Sequence, residues 1–442
     1  MTHKTNMSFE STFPADYRKN DIEKLLAFVK AGKFVQLISL PGGGKATILK
    51  LLAINDRIKE FHLDTEKSSY LFIYLNLLEL PNFEQVTIDK FLLLSLGKKE
   101  ESNDPLSVSE KLKKVVKEIT GSHNQTQTLI LLFDHFDEFQ NSLGNQFFQR
   151  LRSLKSIAKY KFSVIFASRR DLLDLVDPDL AKEFYDFFVG NTVYMKLFDK
   201  VATEFLLSQV EKIADKKFSE AQKEKLVELS GGHTKILKVC AETILSQNHN
   251  EQISVFSLLQ KMIVKASLFE LWLFLTPQEQ KVLLDVSSKI NVEQNETLAN
   301  LVQSGLLQQS SNANNNNNLI FTIPIFEEFV KEQASTMEQF SNLAIFIYNP
   351  QTKEITKGEM VISDLLSKQE FRLLRFFVEN QGRILEREEI INAVWEDLQS
   401  KEGVTDQALD QLIFRLRKKI EENPSNPTHV LTAKGRGCKF IP

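Results

Sequence analysis

A glycine-rich turn with a single lysine is the first segment of this 442-residue sequence that could do chemistry. It occupies positions 39–47 and reads SLPGGGKAT, between an apolar run and a helical pattern. The backbone N–H groups of such a turn, with the N-terminus of the following helix, can hold phosphate groups. The turn therefore predicts a phosphate site, whose candidate residues are Gly42, Gly43, Gly44, Lys45, Ala46 and Thr47.

The turn departs at two positions from the full phosphate-loop pattern G-x-x-x-x-G-K-[ST]. Gly44 and Lys45 fit, but Ser39 stands at the first glycine and Ala46 stands at the hydroxyl residue that ligates Mg²⁺. Because backbone amides and Lys45 supply most of the phosphate contacts, we expect ATP or ADP to bind. We expect slow or absent hydrolysis, since Mg²⁺ lacks its usual hydroxyl ligand. A plain strand-to-helix turn is the alternative interpretation.

Acidic residues follow another apolar run. The segment LILLFD ends at Asp134, and an aspartate in this position can hold Mg²⁺ through water. Asp137 and Glu138 follow within one helical turn and could polarise a water molecule. The next run, VIFASRR, delivers Ser168 and Arg169 at its end, where an arginine suits contact with a terminal phosphate. Glu138 and Arg169 are the candidate catalytic residues and Asp134 the candidate metal ligand; a solvated acidic loop and a surface ion pair are the alternatives.

These residues require a sheet that brings the ends of several strands together. Apolar runs predict strands over 34–40, 68–78, 128–139 and 161–171, with helical patterns between them. Strands separated by crossover helices indicate a parallel sheet, and hence an α/β core over 1–199. After about residue 200 the strands stop, and the pattern over 200–265 is helical. A helix, helix, hairpin pattern over 266–340 predicts a small winged helix, with the asparagine run 314–318 as the solvated hairpin tip.

The order of these elements resembles the STAND branch of the AAA-like P-loop ATPases, including the origin-recognition-like members, over roughly 13–340. The segment YRKNDIEKLLAFVKAG precedes the turn as the family's nucleotide-entry segment does, and LSGGHTKIL is similar to its lid motif GGHP, with Thr234 at the proline. The resemblance implies a nucleotide held between core and lid as a conformational switch. It implies that Lys45 contacts the β- and γ-phosphates, Asp134 positions Mg²⁺, Glu138 is the catalytic acid and Arg169 the sensor.

The C-terminal segment has a second kind of chemistry, because its cations are focused on one element. Leu409, Leu412, Ile413, Leu416 and Ile420 recur at helical spacing, which predicts an apolar stripe. Cations crowd the rest of this helix and the following hairpin: Arg415, Arg417, Lys418, Lys419, Lys434, Arg436 and Lys439. A helix that enters a DNA major groove, followed by a basic wing, needs this arrangement. A merely solvated helix end is the alternative.

This segment resembles the OmpR-type winged-helix domain over about a hundred residues, 341–442. The stretches LLSKQEFRLLRFFVENQGRILEREEIINAVWED, ALDQLIFRLRKKI and THVLTAKGRGCKF carry the resemblance, with Cys438 at the usual tyrosine. It implies that Arg415 reads bases, Arg417 contacts phosphate, and Thr432 and Lys434 lie on the wing. Lys418 and Arg436 complete the candidate DNA-binding set. Leu412 and Phe414 occupy positions where the family often has polar readers, and either touch thymine methyl groups or pack.

Composition narrows the class of protein. A net charge of -3 argues against a protein that coats nucleic acid non-specifically, and the fractions of hydrophobic (42%) and charged (26%) residues are those of a globular protein. Cys240 and Cys438 match no metal or disulfide pattern. The N-terminal residues do not resemble a signal peptide, and no apolar run reaches ~18 residues, so we expect a cytoplasmic protein without a membrane span.

Two functions are consistent with the sequence. The first is a nucleotide-switched transcriptional regulator that binds duplex DNA through its C-terminal winged helix and forms homo-oligomers on activation. The second is a STAND-type signalling or defence ATPase whose C-terminal winged helix mediates protein contacts.

Overall fold

Runs of apolar residues between Val35 and Tyr194 form a parallel sheet. The computed structural model describes residues 9–121, 126–139, 144–175, 177–246, 253–309, 319–342, 346–350, 352–358, 360–395, 406–421, 423–424, 426–433 and 437–441. The chain divides into two compact units, Met1–Lys331 and Glu332–Pro442. The asparagine run 314–318 lies outside the described residues.

The sheet of the first unit has the strand order β2-β3-β4-β1-β5, and all its pairs are parallel. Its strands are β1 (Val35–Ile38), β2 (Tyr70–Asn76), β3 (Thr128–Asp134), β4 (Phe162–Ser168) and β5 (Thr192–Tyr194). β1 and β4 are buried along their whole length, as expected for strands covered by helices on both faces. Asn76 pairs with Asp134 and Ile38 with Ser168, so the carboxyl ends of the four longer strands share one edge.

The observed strands differ from the predicted ones in the end of the third strand and in an additional fifth strand. The third strand ends at Asp134 rather than at Phe139, because His135 has a φ of 59° and the chain then forms a short helix. β5 was not predicted, since its three residues are too few to produce a periodic pattern.

Helices cover both faces of this sheet. They are α1 (Lys19–Lys30), α2 (Lys45–Ile54), α3 (Asp56–Leu63), α4 (Gln85–Ser95), α5 (Pro105–Gly121), α6 (Phe136–Phe139), α7 (Asn145–Ala158), α8 (Pro178–Glu183) and α9 (Tyr185–Phe188). One of the two buried cores is rich in phenylalanine, and the Phe133 and Phe166 rings stack with centroids 5.9 Å apart. Phenylalanine therefore fills the core here.

Helical elements complete the first unit. They are α10 (Lys200–Ala214), α11 (Glu220–Ser230), α12 (Thr234–Ser246), α13 (Val255–Leu259), α14 (Met262–Phe274), α15 (Pro277–Ser287), α16 (Glu296–Gln303) and the first turns of α17 (Pro324–Asn342), which crosses the unit boundary at Lys331, with the hairpin β6 (Leu307–Gln309) and β7 (Leu319–Phe321). Thr276 and Glu279 form a capping box at the start of α15. One continuous apolar core joins these helices to Leu40 in the glycine-rich turn.

The described residues of the second unit form two small antiparallel sheets and three helices after α17. Its elements are β8 (Phe346–Asn349), β9 (Glu354–Lys357), β10 (Met360–Val361), α18 (Lys368–Glu379), β11 (Ile384–Leu385), α19 (Arg387–Val394), α20 (Asp406–Ile420), β12 (Val430–Ala433) and β13 (Gly437–Phe440). The predicted apolar stripe of α20 is buried at all five positions. Gly437 has a φ of 122°, and a Cβ there would lie 1.9 Å from the Leu385 carbonyl oxygen, so β13 must begin with glycine.

Within the part of the chain that the structure describes, no helix combines the length and the apolar character that a membrane span requires.

Candidate phosphate site and nucleic-acid interface

The glycine-rich turn connects β1 to α2 in a left-handed conformation. Gly42 has a φ of 73° and Gly44, the N-cap of α2, has a φ of 103°. The Lys45 side chain folds back over the turn, and its Nζ donates to the Ser39 carbonyl oxygen at 3.0 Å and to the Ser39 Oγ at 3.3 Å. Ser39, which departs from the consensus glycine, is thus a hydrogen-bond partner of the lysine.

Lys45 lies in a low-dielectric environment beside several carboxylates. Burial lowers its pKa to about 8, and the carboxylates of Asp137 and Asp134 oppose this effect. An ammonium group that is desolvated and incompletely compensated gains from any additional anion. The electrostatics of the turn therefore favour a phosphate group next to Lys45.

The predicted lid motif contacts the predicted phosphate loop directly. His233 Nε2 lies 2.9 Å from the Pro41 carbonyl oxygen, the Thr234 hydroxyl donates to the Gly43 oxygen at 3.2 Å, and the Lys235 N–H donates to the Gly42 oxygen at 3.2 Å. Burial lowers the pKa of His233 to about 4, so its imidazole is neutral at pH 7. Three consecutive carbonyls of the turn thus accept hydrogen bonds from three consecutive lid residues.

Arg18 is a site residue that sequence reasoning missed. It precedes α1 with a φ of 51°, and its guanidinium is buried. It donates to the carbonyl oxygens of Lys196 and Leu197, the latter at 3.2 Å, and lies 3.4 Å from the Thr234 hydroxyl. Arg18 therefore joins the entry segment, the end of the sheet and the lid. Its only signal in the sequence was its place in the YRKND segment.

The acidic candidates lie at the carboxyl edge of the sheet, but they are already paired. The Tyr74 hydroxyl donates to Asp134 Oδ2 at 2.6 Å, and the His135 N–H donates to Asp134 Oδ1 at 3.0 Å. Arg169 Nε donates to Asp137 Oδ2 at 2.5 Å, and its terminal nitrogen lies 3.8 Å from Glu138 Oε1. Glu138 also lies 3.2 Å from His135 Nδ1. The structure brings the two candidate catalytic residues, Glu138 and Arg169, together in one ion-pair network.

The residues at this edge fit a phosphate better than a metal ion. The left-handed glycines, the start of α2 and the partly buried Lys45 amine supply the donors that phosphate needs. For Mg²⁺ the fit is poorer, because Ala46 lacks the hydroxyl oxygen that ligates the ion in the full pattern. Among the described residues, no group of three or more His, Cys, Asp or Glu side chains is placed to hold a metal.

The neighbour of the predicted sensor connects the sheet to the middle winged helix. Arg170 donates to both carboxylate oxygens of Glu279 on α15 and to the Phe274 carbonyl oxygen. Its guanidinium carbon also lies 4.4 Å from the centroid of the Phe274 ring. This contact spans 109 positions in the sequence and was not predicted.

In the second unit, α20 presents its cations opposite its buried stripe. Arg415 and Lys418 are exposed, and the Lys418 Nζ lies 4.8 Å from the centroid of the half-exposed Phe414 ring. Leu412 is fully buried. Of the two interpretations left open for Leu412, packing is therefore the one that the structure supports.

Two further cations of α20 have structural contacts. Arg417 donates to the Val430 carbonyl oxygen at 3.0 and 2.6 Å and to the Thr432 hydroxyl at 2.9 Å, which ties the helix to the wing strand β12. Lys419 contacts Glu370 Oε2 at 2.7 Å, at the start of α18. Lys434 and Arg436, also predicted to bind DNA, lie outside the described residues.

Residues 364–440 match the family described as "Transcriptional regulatory protein, C terminal". This segment is an OmpR-type winged-helix DNA-binding domain. Among its curated relatives, the sensory transduction protein RegX3 of Mycolicibacterium smegmatis is 43% identical over 76 residues, which are 17% of this chain and 32% of RegX3. The transcriptional regulatory protein YvrH of Bacillus subtilis is 33% identical over 97 residues, 22% of this chain and 39% of YvrH. The match thus spans about a third of the length of these relatives.

Solved structures resemble both units. The Walker-type ATPase PABY2304 of Pyrococcus abyssi aligns with 73% of this chain and 97% of its own, at 14% identity and a TM-score of 0.45. The DNA-binding domain of Klebsiella pneumoniae RstA, in complex with the RstA box, aligns with 22% of this chain and 90% of its own, at 24% identity and a TM-score of 0.19. The five-stranded parallel sheet between helices confirms the predicted α/β core, and the family match confirms the predicted C-terminal winged helix.

Proposed function

We propose that this protein is a transcriptional regulator that binds duplex DNA through α20 and the β12–β13 wing, under the control of a nucleotide in its first unit. The observation that carries the proposal is the division of α20 into two faces. Its apolar stripe is fully used in the core, while Arg415 and Lys418 remain exposed on the other side. A helix held in this way can enter a major groove without losing its packing.

Arg415 is the proposed base reader. An exposed arginine on such a helix can donate two parallel hydrogen bonds to O6 and N7 of guanine. Lys418 and Arg417 contribute positive charge toward backbone phosphates, and Thr432 lies exposed on the wing strand. Leu412 contributes nothing to base recognition, because it is buried.

The nucleotide part of the proposal depends on the contact between lid and turn. A bound ATP or ADP would supply phosphate oxygens to the turn of residues 42–45, next to the desolvated Lys45 amine. The same turn accepts hydrogen bonds from His233, Thr234 and Lys235. Any change in the turn that accommodates phosphates therefore alters these three bonds, which couples nucleotide state to lid position.

Hydrolysis of the bound nucleotide is not required for this function. Asp134 is bound to Tyr74, Glu138 and Asp137 are engaged with Arg169, and Ala46 lacks a metal-ligating oxygen. We propose that the bound nucleotide acts chiefly as a structural switch. STAND-type switching is the family behaviour that this arrangement resembles.

Genome-wide capture of bound DNA, with and without ATP, would identify a site for quantitative tests. On that site, Arg415→Ala should weaken binding by about 1–3 kcal/mol and reduce discrimination at one base pair. Arg375→Ala is the matched control, because Arg375 lies on α18 and pairs with Glu379. If Arg415→Ala binds its site as tightly as the wild type in electrophoretic shift assays, α20 is not the reading helix and the proposal fails.

A further inference from the structure

α14 is apolar on both its faces. One face is buried in the core of the first unit through Val264, Leu268, Leu271 and Trp272. The opposite face is exposed and also apolar, with Met262 86%, Phe269 44% and Leu273 65% exposed. A helix that is hydrophobic all round is normally buried on every side. The exposed face of α14 is therefore a candidate protein-interaction surface.

The exposed residues follow the spacing of a coiled-coil seam. Met262, Ala266, Phe269 and Leu273 are separated by four, three and four residues, which is the d-a-d-a pattern of a heptad repeat. Ala266, near the middle of the seam, is small enough to let a second helix approach closely. Such a seam fits another helix with the same pattern.

The charges beside the seam determine both the partner and its direction. In this heptad Lys265 is at position g and Glu270 at position e. In a parallel pair of identical helices, position g of one copy lies beside position e, five residues later, of the other, so Lys265 meets Glu270 twice. In an antiparallel pair g meets g and e meets e, which would place like charges together. The pattern is complementary to itself in the parallel direction.

Glu270 can take part in such a pair in its present position. Its carboxylate contacts the Lys235 Nζ, yet its side chain remains 50% exposed, so a second ammonium group can approach. Lys235 is also the lid residue whose N–H donates to Gly42 in the glycine-rich turn. An interface at Glu270 would therefore lie next to the lid contact.

We infer that the exposed face of α14 binds the same face of a second copy of this chain, forming a two-fold symmetric dimer in which the two α14 helices run parallel. This inference gives a surface to the predicted homo-oligomer, and it depends on neither DNA nor nucleotide. The dimer would bring two DNA-binding units together, as recognition of two half-sites requires.

Sedimentation of the full chain over a range of concentrations tests the inference. The wild type should show a monomer–dimer equilibrium, and Met262→Glu with Leu273→Glu should raise the dimer dissociation constant by at least about tenfold. Both side chains are exposed, so these changes leave the core of α14 intact. Ile213→Glu is the matched control, because Ile213 is 81% exposed on α10 and its change should leave the equilibrium unaltered.

Charge reversal tests the parallel direction. Lys265→Glu should weaken the dimer, and the double variant Lys265→Glu, Glu270→Lys should restore it. Glu270→Lys also removes the contact between Lys235 and Glu270 within one chain. Melting temperatures of the monomeric variants measure the effect of that loss on stability, separately from the change in dimerisation.

Cross-linking provides an independent measurement. In a parallel dimer Ala266 faces its own copy, so Ala266→Cys should form a disulfide between chains under mild oxidation. Ser107→Cys, at an exposed position on α5, should not. Cross-linking through the native cysteines should be slow, because Cys240 and Cys438 are buried. A chain that stays monomeric at all concentrations, or an Ala266→Cys variant that cross-links no faster than Ser107→Cys, overturns the inference and leaves the DNA-binding proposal standing.

Discussion

Arg170 holds Glu279 through two hydrogen bonds of 2.8 and 2.7 Å, and so fastens the end of strand β4 to the first turn of α15. Burial alone would raise the pKa of Glu279, but hydrogen bonds from Arg170 and Thr276 hold it below its usual value. The adjacent Arg169 binds Asp137 at the candidate phosphate site. Two consecutive arginines thus connect the acidic edge of the sheet to the middle winged helix.

Removal of Arg170 should destabilise the first unit. Arg170→Ala leaves the Glu279 carboxylate buried without its main partner, and we expect a loss of about 2–3 kcal/mol in the free energy of unfolding. Urea unfolding of a Trp395→Phe background would measure it, since Trp272 then reports on the first unit alone. Lys238→Ala, which removes an exposed pair with Glu242 on α12, should cost less than about 1 kcal/mol.

The difference in stability between the wild type and Arg170→Ala should depend on pH, because it reflects the Arg170–Glu279 ion pair. Because the folded-state pKa of Glu279 is lowered, its stabilising contribution is present above the unfolded pKa of about 4.3 and is lost as pH falls through the folded value. The stability gap between the wild type and Arg170→Ala should therefore narrow below about pH 4. A gap that stays constant on acidification would show that the lost interaction is not ionic.

Nucleotide affinity should fall at alkaline pH. The pKa of Lys45 is about 8 in the free protein, and nearby phosphate oxygens would raise it, so binding above pH 8 requires uptake of a proton. We expect the dissociation constant to be constant below about pH 7 and to rise by up to about tenfold per pH unit above pH 8. Titration calorimetry at several pH values would measure this. Lys45→Arg, which keeps its charge, should give a flat profile, and an equally flat wild-type profile would place the phosphates away from Lys45.

A hydroxyl at position 46 should increase the dependence of nucleotide binding on Mg²⁺. Ala46→Ser supplies the oxygen that the turn lacks, and we expect Mg²⁺ to tighten ATP binding more in this variant than in the wild type. ATP titrations with Mg²⁺ and with a chelator would measure the difference. The Thr47→Val variant is the control, because Thr47 carries the hydroxyl next to position 46. Equal Mg²⁺ dependence in Ala46→Ser and the wild type would mean that the turn is altered for structural reasons.

Arg417 should resist replacement by lysine. Its guanidinium reaches both the Val430 carbonyl oxygen and the Thr432 hydroxyl, and an ammonium group cannot reproduce this planar arrangement. We expect Arg417→Lys to weaken DNA binding by about tenfold although the charge is kept. Lys418→Arg should have little effect. Fluorescence anisotropy with a labelled duplex would compare the two variants.

Local patterns predicted the parts of the fold that depend on local residues. The apolar stripe of α20 is buried as its spacing predicted, and the acidic residues after β3 lie at the same edge of the sheet as the glycine-rich turn. The contacts of Arg18 and Arg170 were missed because their partners lie more than 100 positions away. No periodicity reports such a contact. The sequence pointed to Arg169, and only the contacts of Arg170 with Glu279 and Phe274 reveal that the neighbouring arginine connects the sheet to α15.

The clasp between Arg417 and strand β12 fixes the distance between the exposed face of α20 and the wing. In the proposed complex α20 and the wing therefore keep a fixed separation, and the DNA duplex has to change its shape to contact both. Sites whose minor groove already lies at the matching distance would bind at low cost, and stiffer sites would pay in bending or twisting energy. Part of the operator preference would then reside in base pairs that no side chain touches.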